Sequence, residues 1–285
     1  MDLERKGTVW IDGYPLRYRV EGEGVPVLVV GSSVYYPRLF SEELRKQAKL
    51  IFIDHRGHAP SPEGQEALQE RDPLNRVLDD IEAIRRQLEI KDFVVAGHSG
   101  NAFLALEYAI KYPEYVRKIA LLNTATSNSP ERQQGSIAFF EETADEARKV
   151  KFHADFARLP ADIERDPERR FAHMCIRMGA HSFFDYQFDA APTWDGVYTN
   201  MPWIDYLWGE AFAKLHIPDR LTLTEKPVFL ALGRYDYLVG PHTLWEGIEN
   251  EYPKLRKAVF DRSGHSPMLE EAERFDAVFT EWLYS

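Results

Sequence analysis

Apolar positions in the first sixty residues follow two patterns. Residues 8–12 and 16–21 mix polar and apolar side chains on either side of Asp12-Gly13, a pair suited to a tight hairpin turn. Residues 25–30 and 50–54 instead form continuous apolar runs, the signature of strands buried on both faces of a parallel sheet. Asp72-Pro73 then opens a helical period through Leu74, Val77, Leu78, Ile81, Ile84 and Leu88. Pro73 suits the first helical position, where its missing N–H has no partner to lose. Another buried strand at 93–96 leads into a helix over 102–112, which Pro113 stops, and then into a strand at 118–122. This alternation is that of βαβ units.

Between residues 127 and 223 the strand signal vanishes. Helix-compatible charged stretches such as 141–150 replace it, followed by an aromatic-rich stretch at 183–212. The alternation then resumes with a strand at 227–232, a helix at 244–252, a last strand at 257–260 and a closing helix at 270–283. The middle block therefore reads as a subdomain inserted into a parallel-sheet domain. Neither an internal repeat nor a low-complexity linker interrupts the chain.

The 285 residues, 44% of them apolar and 13% aromatic, suffice for one large core with an insertion. A net charge of -11 surrounds the molecule with a field that repels phosphate backbones and anionic membranes, so nucleic acid and membrane surfaces are excluded as expected partners. The one cysteine, Cys175, precludes an intrachain disulfide. No run approaches the ~20 apolar residues of a membrane span. Residues 1–6 lack the apolar stretch of a signal peptide, and the expected location is cytoplasmic.

The chemistry concentrates at Gly97-His98-Ser99-Gly100-Asn101, directly between a buried strand and a helix. A serine on so sharp a turn projects its Oγ out of the sheet beside the positive end of the helix, as in a nucleophile elbow. Serine is a weak nucleophile unaided, so this reading requires a histidine base and a carboxylate to orient it. Asp236 follows the strand at 227–232 and His265 follows the last strand, both at the carboxyl ends where open parallel sheets place their sites. The order Ser, Asp, His completes a catalytic set of Ser99, Asp236 and His265. Backbone N–H groups of Gly100 and Ser32 are the expected oxyanion donors, with Ser33 the neighbouring alternative to Ser32.

With these motifs in place, the chain resembles the α/β-hydrolase superfamily along nearly its whole length. Residues 54–61 (DHRGHAPS) resemble that family's D-x-R-G-x-G-x-S loop, and residues 264–270 (GHSPMLE) its histidine loop. The resemblance implies a mostly parallel eight-stranded sheet with helices on both faces. Its core would comprise residues 1–126 and 223–285, with 127–222 as an inserted helical cap. Two departures stand out: Val30 occupies a position where histidine is common, and Asn101 replaces the glycine that usually ends the elbow. Cap placement and the Asp236 and His265 loops are also similar to proline iminopeptidases, although their H-G-G-P-G and G-G-S-W-G motifs are replaced here. Acyl-homoserine lactonases are a further capped group that the chain resembles.

Other polar residues fit plainer roles. His98, preceding the nucleophile, is expected to point into packing, while Asp54 and Arg56 hold their loop. Cys175, His153, His173 and His181 match no compact ligand set, so no metal is expected, and no glycine loop of a nucleotide site occurs, so neither is a cofactor. Residues 183–212 hold ten aromatic residues in thirty, more than a cap of this size can hide in its own core. Trp194, Trp203 and Tyr206 from this stretch, with Tyr35 and Tyr36 from the oxyanion loop, are the expected walls of an apolar substrate pocket. The cap could also support a homodimer. The interleaved Asp185, Asp189, Asp195, Asp205 and Glu210 are expected on a solvated face, with one or two free to bind a substrate amine. The leading expectation is a serine hydrolase of a neutral, partly apolar carboxylic ester or lactone. A proline iminopeptidase-like activity and a triad-bearing small-molecule receptor are the alternatives.

Overall fold

A computed structural model describes residues 5–65, 68 and 70–285. Residues 1–4, part of the stretch read as lacking a signal peptide, lie outside the described residues. Strands β1 (Arg5–Ile11) and β2 (Tyr14–Glu21) form the expected hairpin. Asp12 at φ 48° and Gly13 at φ 81° supply the left-handed pair that a two-residue turn of matching twist demands. The remaining strands are β3 (Val25–Gly31), β4 (Ala48–Asp54), β5 (Phe93–His98), β6 (Val116–Leu122), β7 (Val228–Gly233) and β8 (Leu255–Phe260). The eight-stranded sheet has the order β1-β2-β4-β3-β5-β6-β7-β8, parallel throughout except at β2.

Because successive side chains leave a strand on opposite faces, the continuous apolar runs feed two separate cores. Leu28, Val30, Ile51, Ile53 and Val95 pack with helices α1 (Pro73–Gln87) and α2 (Asn101–Lys111). Val27, Val29, Leu50, Phe52 and Val94 pack with residues from the C-terminal helix, among them Phe275, Phe279 and Trp282. Between β6 and β7 lie α3 (Pro130–Thr143), α4 (Glu146–Phe156), α5 (Leu159–Arg165), α6 (Arg170–Arg177), α7 (Gly179–Ser182), α8 (Met201–Tyr206) and α9 (Ile217–Leu221). A bridge between Ser127 and His216 closes the base of this helical insertion. After β7 follow α10 (Ile248–Glu251), α11 (Pro267–Glu270) and α12 (Ala272–Tyr284). Among the described residues no helix is long and apolar enough to cross a membrane.

Three helical expectations need correction. The pattern at 244–252 is a 3₁₀ turn at His242–Trp245 and then α10, because Gly247 adopts φ 86° between them. The closing helix is split at Glu271, whose carboxylate leaves the helix pattern to accept the Arg262 N–H and the Ser263 hydroxyl. The stretch 141–150 spans the end of α3 and the start of α4, since Asp145 caps a new helix by accepting the Arg148 N–H.

Two ionisable side chains, the buried Arg56 and the part-buried Glu270, lock this frame around the strand ends. Arg56, only 1% exposed, donates to Asp80 at 2.6 Å and to Asp12 at 2.8 Å, and its guanidinium lies over the rings of Tyr14 and Trp203. It joins the hairpin turn, α1 and α8, the structural role expected of it. Glu270, at the end of α11, accepts N–H groups from Gly264, Ser266 and Phe184, tying the histidine loop to the insertion. Burial outweighs these donors and pushes its carboxyl from 4.5 up to about 7.

Replacing Arg56 by Met leaves Asp80 buried without its strongest partner. The expected cost is about 3 kcal/mol or more, read as a lower urea midpoint, and an unchanged midpoint contradicts the role. For Glu270 the folded state holds its proton more tightly than the unfolded state. Its contribution to stability is therefore complete below pH 4.5 and is lost as pH rises to about 7. Glu270→Gln should flatten the fall in thermal midpoint across that window, whatever its effect on the mean; an unaltered slope contradicts this.

Candidate active site

Ser99 and Gly100 are the whole of the connection between β5 and α2. So short a turn forces Ser99 to φ 57°, a left-handed conformation that costs a non-glycine residue about 1–2 kcal/mol. The neighbouring glycine makes it feasible: a Cβ on Gly97 would lie 2.1 Å from the backbone oxygen of Asn101. The Ser99 N–H donates to Leu122 O at 2.8 Å, so the turn is also pinned to β6.

Asp236, 1% exposed, sits just beyond β7. Its Oδ1 accepts the backbone N–H groups of Leu238 and Val239, and its Oδ2 accepts Asn123 Nδ2 at 3.1 Å and His265 Nδ1 at 2.7 Å. Those bonds fix the carboxylate, which in turn places the His265 proton on Nδ1 and leaves Nε2 as a base. Nε2 has no protein hydrogen-bond partner among the described residues, and His265 lines the same cavity as Ser99. The His265 backbone N–H donates to Ser182 O at 2.5 Å, a contact from the insertion. His98 is 3% exposed, and burial with the adjacent His265 lowers its imidazole to about 3. It is a neutral packed residue, as expected, and no second base.

The oxyanion alternatives separate on geometry. Ser33 donates its N–H to Asp54 Oδ1 at 2.6 Å, and Arg17 Nε holds the other oxygen of that carboxylate at 2.8 Å. Asp54 thereby anchors the loop and occupies the Ser33 amide. The Ser32 and Gly100 N–H groups have no protein acceptor among the described residues, and both residues line the cavity beside Ser99. They remain the pair able to meet a developing negative charge.

The cavity has a volume of about 730 Å³ and runs from Ser99 into the insertion. Tyr35, Tyr36 and Trp194 line it as expected, whereas Trp203 and Tyr206 do not. Trp203 is 1% exposed under Arg56 and its Nε1–H donates to the Tyr14 hydroxyl, while Tyr206 packs on the core shared by α1 and α2. The cavity is faced instead by Phe171, Met174, Trp208 and Phe212. Five residues apart, Trp203 and Trp208 leave a helical stretch about 140° from one another, so burying Trp203 beneath Arg56 leaves Trp208 and Phe212 to face the cavity. Trp208 and Phe212 stand four residues apart, a face-sharing pair that the sequence displays once the phase is known. The resulting wall is continuous, with ring centroids at 4.6 Å for Tyr35–Trp194, 5.8 Å for Trp194–Phe171, 5.3 Å for Phe171–Trp208 and 5.1 Å for Trp208–Phe212. Gly100 admits the indole, since a Cβ there would lie 2.7 Å from Trp208.

Charge is nearly absent from this lining. Arg132 reaches it but is committed to Ser127 O, Leu238 O, Asn128 Oδ1 and Ser136 Oγ. Glu141 is at the exposed rim. Asp185, Asp189, Asp195, Asp205 and Glu210 are all exposed and none lines the cavity, so the solvated reading holds and the amine-binding option does not. Burial pushes the Cys175 thiol up to about 12, which leaves it protonated and without nucleophilic character. His181 stacks on Phe140 at 3.8 Å, a packing role. Among the described residues no group of three or more His, Cys, Asp or Glu side chains is placed to hold a metal ion.

Comparison with known proteins agrees with this architecture. The chain is 52% identical over 281 residues to the AB hydrolase superfamily protein YclE of Bacillus subtilis, covering 99% of each. It is 25% identical over 294 residues to a proline iminopeptidase of Heyndrickxia coagulans, covering 94% of each. Its fold superposes on the solved structure of Est816, an N-acyl homoserine lactone degrading enzyme, with a TM-score of 0.63 at 19% identity over 96% of this chain and 99% of that one. Residues 29–272 match the alpha/beta hydrolase fold family, and with its sheet order and strand-to-helix elbow the chain belongs to the α/β-hydrolase superfamily.

Proposed function

We propose that the protein is a serine hydrolase of neutral carboxylic esters or lactones with an apolar acyl group. The observation that carries this reading is the meeting of a strained serine, two uncommitted N–H groups and an oriented histidine in one largely aromatic cavity with few charged groups. Ser99 Oγ attacks the carbonyl carbon as His265 Nε2 takes its proton. The carbonyl oxygen becomes an oxyanion held by the Ser32 and Gly100 amides, each worth about 10²-fold in rate. Collapse expels the alcohol, which receives the proton from His265. Water then repeats the sequence on the acyl-enzyme and releases the acid. Residues 127–222 act as the cap, and Tyr35, Phe171, Trp194 and Trp208 receive the acyl chain.

Kinship with a proline iminopeptidase supports an aminopeptidase as the second reading. That activity needs an anion at the depth of the substrate amine, and the carboxylate that lines this cavity, Glu141, is at its exposed rim. Ester or lactone cleavage therefore ranks first.

Initial rates on p-nitrophenyl esters of rising acyl length, on N-acyl homoserine lactones and on prolyl anilide test the choice. Wild type should favour medium acyl chains over acetate, and Ser99→Ala should lose about 10⁴-fold or more in kcat with its fold intact. Trp194→Ala, by lengthening the cavity, should move the optimum toward longer chains. Prolyl anilide cleaved faster than every ester would select the second reading. Tight ligand binding without turnover would instead favour a receptor.

A further inference from the structure

A chain of buried polar groups runs beneath Ser99 and serves none of the steps above. It begins at His55, which accepts the Gly57 N–H on Nδ1 at 2.9 Å. That nitrogen is therefore unprotonated, and because burial holds the imidazole neutral, the proton is on Nε2. Nε2 faces Asn101 Oδ1 at 3.1 Å and donates to it. The amide orientation of Asn101 is thereby settled, and its Nδ2 donates to the Tyr36 hydroxyl at 2.9 Å. Tyr36, its acceptor role filled, turns its own proton toward His98, whose carbonyl O lies at 3.4 Å and whose Nδ1 lies at 3.5 Å. At the far end His98 Nε2 lies 2.6 Å from the carbonyl oxygen of His265. A carbonyl only accepts, so His98 carries its proton on Nε2 and keeps Nδ1 bare toward Tyr36.

Every donor in the series points the same way. No member can reverse without leaving a buried donor or acceptor unpaired, at about 1–3 kcal/mol for each. Burial also holds His98 and His55 neutral and drives the Tyr36 phenol upward, so each keeps one protonation state across neutral pH. The segments joined are those that must agree in position for acyl transfer. Tyr36 also donates its backbone N–H to Ser32 O, within the oxyanion loop. Asn101 begins α2 immediately after the elbow, and the chain ends on the backbone of His265. The space for this arrangement is provided by Gly31, where a Cβ would lie 2.0 Å from the Tyr36 ring and 2.9 Å from Asn101 Nδ2.

We propose that Asn101, Tyr36 and His98 are positioning residues: one directional hydrogen-bond chain, continued by His55, sets the oxyanion loop and the His265 loop in register around Ser99. Asn101, the departure from the usual elbow glycine, is its central link. This inference rests on the serine-hydrolase reading for its catalytic consequence, but the chain itself is observable without turnover.

Two conservative variants test it. Tyr36→Phe keeps the ring and deletes the hydroxyl. Asn101→Asp keeps the shape but replaces the donor to Tyr36 with an acceptor, drawing the phenolic proton away from His98. On the best p-nitrophenyl ester each should lower kcat about tenfold to hundredfold with KM within threefold, the range expected for a misplaced catalytic group. The double variant should lose no more than the worse single variant. Wild-type kcat in both single variants, or a double loss equal to the product of the single losses, overturns the proposal. Nitrogen-15 spectra of the histidine rings, recorded on the free protein, provide an independent readout. His55 and His98 should both be neutral Nε2–H tautomers from pH 5 to 8, and in Tyr36→Phe the His98 Nδ1 resonance should shift while the tautomer, held by the His265 carbonyl, stays Nε2–H. A wild-type His98 protonated on Nδ1 overturns the chain. If instead Ser99 fails to react with a fluorophosphonate while the tautomers are as stated, the hydrolase reading fails and the chain stands.

Discussion

The backbone at Ser99 is the constraint around which the rest is arranged. A non-glycine residue at φ 57° between a strand and a helix is unfavourable in isolation, and it persists because the sheet offers no alternative path. Gly97 must pass against the Asn101 backbone, the Ser99 amide is held by β6, and α2 can start only where it does. Both residues of this turn, Ser99 and Gly100, line the cavity. Strain in one residue is thus offset by burial of β5 and α2, whose cores lie on both faces of the sheet.

Strand ends then decide what can meet that serine. The carboxyl ends of β3, β4, β7 and β8 lead to Ser32, Asp54, Asp236 and His265, respectively. Asp54 stabilises the oxyanion loop through the Ser33 amide, while Asp236 orients His265. Two carboxylates at equivalent positions in the sheet therefore perform different work, one on a backbone and one on an imidazole.

How much of this could be read from the sequence depended on the range of the interactions involved. The hairpin at Asp12-Gly13, the buried strands and the elbow are local, since a few consecutive residues determine them through turn geometry and apolar continuity. The pairing of Asp236 with His265 was legible because both follow strands in a parallel sheet. The walls of the cavity were less so. Trp203 and Trp208 are near in sequence but five helical positions apart, and one lies under Arg56 while the other lies against Gly100. Likewise, Asn101 read as a misfit within its own pentapeptide, because the partners that explain it, His55 and Tyr36, are distant in the chain. The break in the closing helix was hidden for a similar reason: one oxygen of Glu271 reaches out of the helix to the Arg262 amide and the Ser263 hydroxyl, residues of the preceding loop.

The hydrogen bond from the His265 amide to Ser182 O has an evolutionary implication. The insertion thereby helps to hold the proposed reaction centre, so exchanging it wholesale between relatives would remove an acceptor from the loop that bears His265. Under the proposed function, divergence in substrate is better accommodated one ring at a time, at wall positions such as Phe171, Trp194 and Trp208. A lineage built on this frame can diversify its diet while inheriting the chemical machinery intact.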